Sequence, residues 1–303
     1  MIALGAFLAM LSGCGFAVSS AMQKRQAVRV QGGTVTVLLR LLARWSWVGA
    51  VLLEAGAWVA QAVGLAIAPV ALVVPLAALG TVLLAALGAA WLGERYRPSE
   101  ILGVALVAVG AVITAVAAAG ITPSRHPLTV LQQLALAGVA VVLAGILLRA
   151  RSGIAFGLAA GSLYAAATVY TKEIGDRLAS LGLQGVVVLA ESPSPWLLVG
   201  LSIGALALVQ RAFQRVNAAS AITALSAVET LGPIVVSFTL YRERFPHGVD
   251  AVVLSLGLVT VLAGLSVFAP VHRRGRTQQA RSGFVPTEEI AAMNASRHSL
   301  PPT

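Results

Sequence analysis

The chain has 303 residues, of which 58% are hydrophobic and 11% charged, with a mean hydropathy of +0.89. A soluble domain carries about 25% charged residues, so a water-soluble globular fold is excluded and the bilayer is the expected solvent. The net charge of +10 does not point to nucleic acid, since no basic face carries interleaved aromatics, and the single cysteine, Cys14, excludes an intrachain disulfide framework and a cysteine-rich metal site.

The first apolar stretch, 2–22, reads as a membrane span rich in small residues such as Gly5, Ser12, Gly13, Gly15, Ser19 and Ser20. Such residues let membrane helices approach closely. Leu11-Ser12-Gly13-Cys14 resembles a bacterial lipoprotein cleavage box, which would make residues 1–13 a signal peptide. The n-region lacks the basic residue such a signal needs, and Cys14 is expected as a buried packing thiol. Residues 23–44 hold Lys24, Arg25, Arg29, Arg40 and Arg44 and no acid, and read as a loop.

Further spans are predicted over 45–67, 68–92 with Pro75 inside, 101–119, 128–148 and 154–172, each about the length that crosses a bilayer as a helix. Residues 173–195 read as a long mixed loop ending in Ser-Pro-Ser-Pro, whose apolar piece 186–190 is too short to cross. Spans follow over 196–213, 218–240 and 251–269, the second expected to break near Gly232-Pro233. The polar tail 271–303 has little apolar surface to bury and is predicted to be disordered.

The fold expected is therefore an all-α membrane protein of about nine transmembrane helices. Two helix–turn–helix units stand out. One turns on Gly-Glu-Arg-Tyr-Arg-Pro (93–98) and a weaker echo on Tyr-Arg-Glu-Arg-Phe-Pro-His-Gly (241–248), pairing Glu94-Arg95-Tyr96 with Glu243-Arg244-Phe245. Internal repeats in a polytopic chain point to a transporter. With the C-terminus cytoplasmic, the inner segments hold 16 of the 21 Lys and Arg, as the positive-inside rule requires. The N-terminus is then outside, and the two turns lie on opposite sides. The repeats are expected to be inverted, in a 4+1+4 order: 1–120 as the first repeat, 121–152 as a connecting fifth helix, 153–270 as the second repeat and 271–303 as a cytoplasmic tail.

Carboxylates inside a bilayer are costly and mark function or tight pairing. Glu54 follows Arg44 by ten residues and Glu229 follows Arg215 by fourteen, which places both near mid-depth at 1.5 Å per residue. They are the expected charge carriers for a proton or cation, Glu229 first, and the candidate metal ligands; the bland alternative is a protonated Glu hydrogen-bonded to a neighbouring helix. Trp58 and Gln61 share a helix face with Glu54. Tyr164 and Thr168 lie on one side of the sixth span, and Gln210 near the inner end of the seventh. These polar residues are expected either to line the substrate cavity or to serve as interhelical glue. Glu94, Glu243, Gly232 and Pro233 are expected at a gate or hinge, the two acids having as alternative a solvated local ion pair. Gly153, Gly157 and Gly161 form small-xxx-small steps, read as packing or as a homodimer face.

No catalytic set is found. There is no phosphate-binding loop, and His126, His247, His272 and His298 lie in predicted loops or the tail without metal-ligand spacing. The chain is expected not to be an enzyme and to need no cofactor. Its partners are expected to be the lipid bilayer and a small-molecule or cation substrate.

The apolar helix ending in Gly93-Glu94-Arg95, its partner Arg242-Glu243-Arg244, and Lys24 and Lys172 near the ends of the first and sixth spans resemble the drug/metabolite transporter superfamily with EamA-like repeats. Within it, the stretch 58–82, with Ala68-Pro69, and the stretch 209–229 resemble the NIPA-type magnesium transporters. Where that pattern places Gly-Glu and then Asn before Ala-Pro, this chain has Ala57-Trp58 and then Gln61. The resemblance implies a small metabolite or cation moved by alternating access, with magnesium as one alternative. A non-transporting envelope scaffold and a lipid-carrier flippase are the other readings. Abundant Ala, Val, Leu, Gly and Arg with scarce Lys suggests a GC-rich bacterial genome, hence a bacterial plasma membrane.

Overall fold

The computed structural model describes residues 2–30, 32, 34–118, 121, 127–182, 184–241 and 246–268. Glu243 and the tail 271–303 lie outside the described residues. Twelve helices are described: α1 (Ile2–Ala27), α2 (Thr34–Leu42), α3 (Trp45–Ile67), α4 (Val70–Ala78), α5 (Gly80–Trp91), α6 (Pro98–Ala118), α7 (Val130–Leu148), α8 (Gly153–Leu181), α9 (Gln184–Ala190), α10 (Pro193–Phe213), α11 (Ala218–Thr239) and α12 (Val249–Phe268). No strand occurs among the described residues. Eight helices, α4 and α5 counted as one, are long and apolar enough to cross a membrane, and the 20-residue α12 adds a further apolar helix. The protein is an all-α polytopic membrane protein. Large apolar side chains face outward along these helices, among them Leu131, Val139 and Val142 on α7 and Val252 and Val259 on α12. Water would penalise such a surface, whereas lipid does not.

Several boundaries differ from the sequence expectation. The stretch 173–195 is not a loop. Helix α8 runs on for 29 residues to Leu181, α9 follows, and α10 starts at Pro193. The polar end of α8 stays helical because its charges are satisfied four residues apart: Lys172 Nζ lies 2.9 Å from Asp176, and Arg177 lies 2.7 Å from Glu173. Ser192 caps α10 with Pro193 at its first turn, where a missing N–H costs nothing. Likewise α1 continues to Ala27, and α2 occupies part of the presumed loop 23–44.

The span 68–92 is two helices, and they part at Leu79 rather than at Pro75, which sits inside α4. At that break a β-carbon on Gly80 would run into the backbone of Gly13, and one on Gly13 into the backbone of Ala77. Helix α11, by contrast, does not break at Gly232-Pro233 but runs unbroken from Ala218 to Thr239. A β-carbon at Gly232 would sit 2.7 Å from that of Ala165, so this glycine lets α11 close onto α8. The glycine stripe of α8 is used within the chain as well: β-carbons at Gly157 and Gly161 would meet the carbonyl oxygens of Ala221 and Leu225 on α11. It is therefore not a free homodimer face. Cys14 is exposed rather than buried, because α1 turns Ser12 and Gly13 inward instead.

The packing pairs recur. α1 packs on α3 and on α4–α5, as α8 packs on α10 and α11. α4 packs on α6, as α11 packs on α12. α6 meets α12, α4–α5 meets α11, and the pair α3·α8 is matched by α10·α1. Helix α7 packs chiefly on α8 and α10. Its anchor is the buried Tyr170 of α8, whose hydroxyl donates to the Gln133 carbonyl at 2.6 Å. One such hydrogen bond contributes about 1 kcal/mol. Tyr170→Phe should accordingly lower the melting temperature by only about 2–4 °C, read by thermal unfolding in detergent.

Candidate functional site

A cavity of about 70 Å³ lies between the packing units, lined from α1, α3, α4, α5, α8, α10 and α11. Its polar centre is built by helix register. Glu54, Trp58 and Gln61 sit at offsets of four and seven on α3, so all three reach the cavity from one face. Tyr164 and Thr168 sit one turn apart on α8. The Tyr164 hydroxyl donates to Glu54 Oε1 at 3.3 Å, and the Thr168 hydroxyl to Glu229 Oε1 at 3.3 Å. One helix thus presents two O–H donors to two carboxyl groups carried by two other helices, α3 and α11. Pro233 has no N–H to give to the Glu229 carbonyl one turn before it.

Of the sequence candidates, Glu54, Trp58, Gln61, Tyr164 and Glu229 line the cavity directly. Thr168 and Gln210 stand behind it. Gln210 is buried; it accepts from the Trp47 indole at 3.4 Å and donates to Gln23 Oε1 at 2.6 Å. Gln23 in turn donates to Ser19 at 2.9 Å and to Glu54 Oε2. The Glu54 carboxyl is therefore held by a relay that begins on α10 and crosses α1.

Sequence reasoning missed Gln23, Ser226 and Thr230. Gln23 falls in the predicted loop because the basic run begins at Lys24; its spacing of four from Ser19 is the available signal. Thr230 adjoins Glu229 and also lines the cavity. The Gln61 Oε1 and Thr230 Oγ1 atoms are buried without a hydrogen-bond partner. No Lys, Arg or His lines the cavity among the described residues. Nor do three or more His, Cys, Asp and Glu side chains gather as a metal-binding group there.

The gate candidate Glu94 lies elsewhere, and it is not a solvated local pair. Its carboxylate meets Lys24 Nζ at 3.4 Å and accepts the Ala218 N–H at 2.9 and 3.0 Å and the Tyr96 hydroxyl at 2.6 Å. Lys24 also donates to the carbonyl oxygens of Phe213 at 2.6 Å and of Val216. The pair thus fills the junction where α10 ends and α11 begins. Its cation sits at a helix C-terminus and its anion at a helix N-terminus, which is the sign each dipole favours. Burial, and then the hydrogen bond to Glu94, pushes the Tyr96 phenol up and keeps it a donor. Glu100 adds a second tie, accepting from Ser220 at 2.8 Å. At the far end of the bundle, Lys172 pairs with Asp176 of its own helix and lies over the Tyr241 ring at 5.3 Å.

Compared with known protein families, curated proteins and solved structures, the chain matches none of them.

Proposed function

We infer that the protein is a membrane transporter of the drug/metabolite type, moving a small metabolite or cation by alternating access. The observation that carries this reading is the placement of the cavity. It lies between α1–α6 and α8–α12, takes one carboxyl group from each side, Glu54 and Glu229, and ties both to α8. The recurring packing pairs support a first unit of α1, α3, α4–α5 and α6 and a second of α8, α10, α11 and α12. Four spans, α3, α4–α5, α6 and α7, lie between α1 and α8, an even number, so the second unit enters the membrane from the opposite side. Inverted units around a shared mid-membrane site can rock against each other and expose the site to each side in turn.

In the arrangement seen, Lys24 and Glu94 of the first unit are fastened to the α10–α11 junction of the second. That end, cytoplasmic by the distribution of Lys and Arg, is the closed gate in this reading. The opposite turn around Glu243 is its counterpart by repeat position, with Lys172 in the place of Lys24.

The test is Glu229→Gln in proteoliposomes. The amide keeps the Thr168 contact and removes the carboxylate. We expect unchanged folding and at least a tenfold loss of substrate-driven flux. Undiminished flux would remove the carboxylate from the mechanism. An envelope scaffold would instead show no flux in wild type or variant.

A further inference from the structure

We propose that the ligand of this cavity is a small organic monocation with an N–H-donating head, an alkylguanidinium or alkylammonium group, on a short apolar skeleton. This rests on the transporter reading for its physiological meaning but not for its chemistry.

Several polar atoms of the cavity lining can accept a hydrogen bond from a ligand. Glu54 and Glu229 bring two carboxyl groups. Gln61 Oε1 and Thr230 Oγ1 bring two buried atoms with no protein partner, on residues 2% and 1% exposed. Three protein donors nearby are already committed: Gln23 and Tyr164 to Glu54, Thr168 to Glu229. A buried polar atom left unpaired is destabilising, and a ligand that donates to Gln61 and Thr230 relieves that cost. With one of the two carboxyl groups ionised, charge balance asks for the same partner. Two carboxyl groups share the cavity, no basic side chain lines it among the described residues, and Lys24, the nearest lysine in the α1 sequence, is engaged by Glu94. A cation that donates N–H bonds meets both demands at once.

The walls decide between a metal and an organic cation. Phe16, Trp58, Val74, Leu84, Ile222 and Leu225 line the same space. Magnesium requires six oxygens in near-octahedral geometry and gives up its waters reluctantly, and these apolar walls leave no room for the waters it would keep. About 70 Å³ holds roughly five water-sized groups, the size of a short alkyl guanidine. The Trp58 and Tyr164 rings beside the carboxyl groups suit a weakly hydrated cation through their π faces.

The test uses the purified full chain and three probes of similar size. Methylguanidinium carries charge and donors, methylurea has nearly the same shape without charge, and tetramethylammonium has charge without donors. Magnesium chloride is the fourth arm, at matched ionic strength. Binding is read by thermal shift and by calorimetric titration. We expect methylguanidinium to bind at least tenfold more tightly than methylurea or tetramethylammonium. Gln61→Leu should weaken it about tenfold while leaving the unliganded melting temperature unchanged or higher, because the Gln61 carbonyl oxygen has no partner to lose. Equal binding of methylurea, binding of magnesium alone, or no binding of methylguanidinium would each overturn the proposal. Radiolabelled methylguanidinium uptake into proteoliposomes separates the two readings. Binding without uptake refutes transport and leaves the cation site standing. Glu229-dependent flux of another solute, with no methylguanidinium binding, does the reverse.

Discussion

Replacing Lys24 with methionine should lower the melting temperature by about 6–12 °C, corresponding to roughly 3 kcal/mol in a chain of this size. The side chains of Lys24 and Glu94 are 11% and 8% exposed, so the pair is removed from water. Losing one partner leaves the other charge buried and uncompensated, which is much costlier than losing a surface pair. The carbonyl oxygens of Phe213 and Val216 lose their donor at the same time. Thermal unfolding of Lys24→Met, Glu94→Gln and the double variant forms a closed cycle. The double variant should be more stable than the sum of the single losses predicts. A melting temperature unchanged in Lys24→Met would return the pair to a solvated local contact. In the transporter reading the same substitution also loosens one gate, so a cysteine placed at Ile222, on the cavity wall, should react faster with a water-soluble thiol reagent than in the wild-type background.

Gly110→Leu should cost about 3 kcal/mol, a fall of about 6–12 °C. A β-carbon at Gly110 would lie 2.7 Å from both the Gly257 carbonyl oxygen and the Val261 nitrogen. These are backbone atoms and cannot rotate away, so α6 and α12 must separate. The clash is reciprocal: a β-carbon at Gly257 would lie 2.7 Å from the Thr114 backbone nitrogen. In lipid, helices associate chiefly through such close packing, since the surrounding acyl chains are as apolar as the side chains. Gly138→Leu on α7 is the control, because a β-carbon there meets nothing within 4 Å, and it should change stability by no more than about 0.5 kcal/mol. Equal melting temperatures for the two variants would mean that α6 and α12 do not hold this contact.

The residues that line the cavity or stand directly behind it were legible where a single helix carries the pattern. Glu54, Trp58 and Gln61 repeat at four and seven, and Tyr164 and Thr168 at four, so each set follows from helical periodicity alone. Residues whose environment is made by distant segments were not legible. Gln23 was cut from its helix because Lys24 follows it, and a lysine reads as a helix end when its partner, Glu94, is 70 residues away. Residues 173–195 read as loop because Lys172, Glu173, Asp176 and Arg177 are polar; the pairs among them, and the Glu173 contact with the Leu128 N–H at 3.3 Å, allow α8 to continue. Gly232-Pro233 read as a break because proline removes one helical hydrogen bond, yet the contact with Ala165 holds the helix on course.

Composition and apolar run length by themselves determined that this chain is an all-α membrane protein, because a bilayer admits only helices and closed β-barrels, and continuous apolar runs of about 20 residues fit the helix and not the short alternating strands of a barrel. Helical periodicity determined which side chains share a face. Only the tertiary structure decided that two carboxyl groups from different helices are tied to one helix around a common cavity, that Lys24 and Glu94 fasten a junction instead of facing water, and that the α8 glycines are spent on α11. The physical reason is that each of these depends on crossings between helices far apart in the chain. Close backbone approach and buried charge pairing set those crossings, and neither leaves a mark in local periodicity.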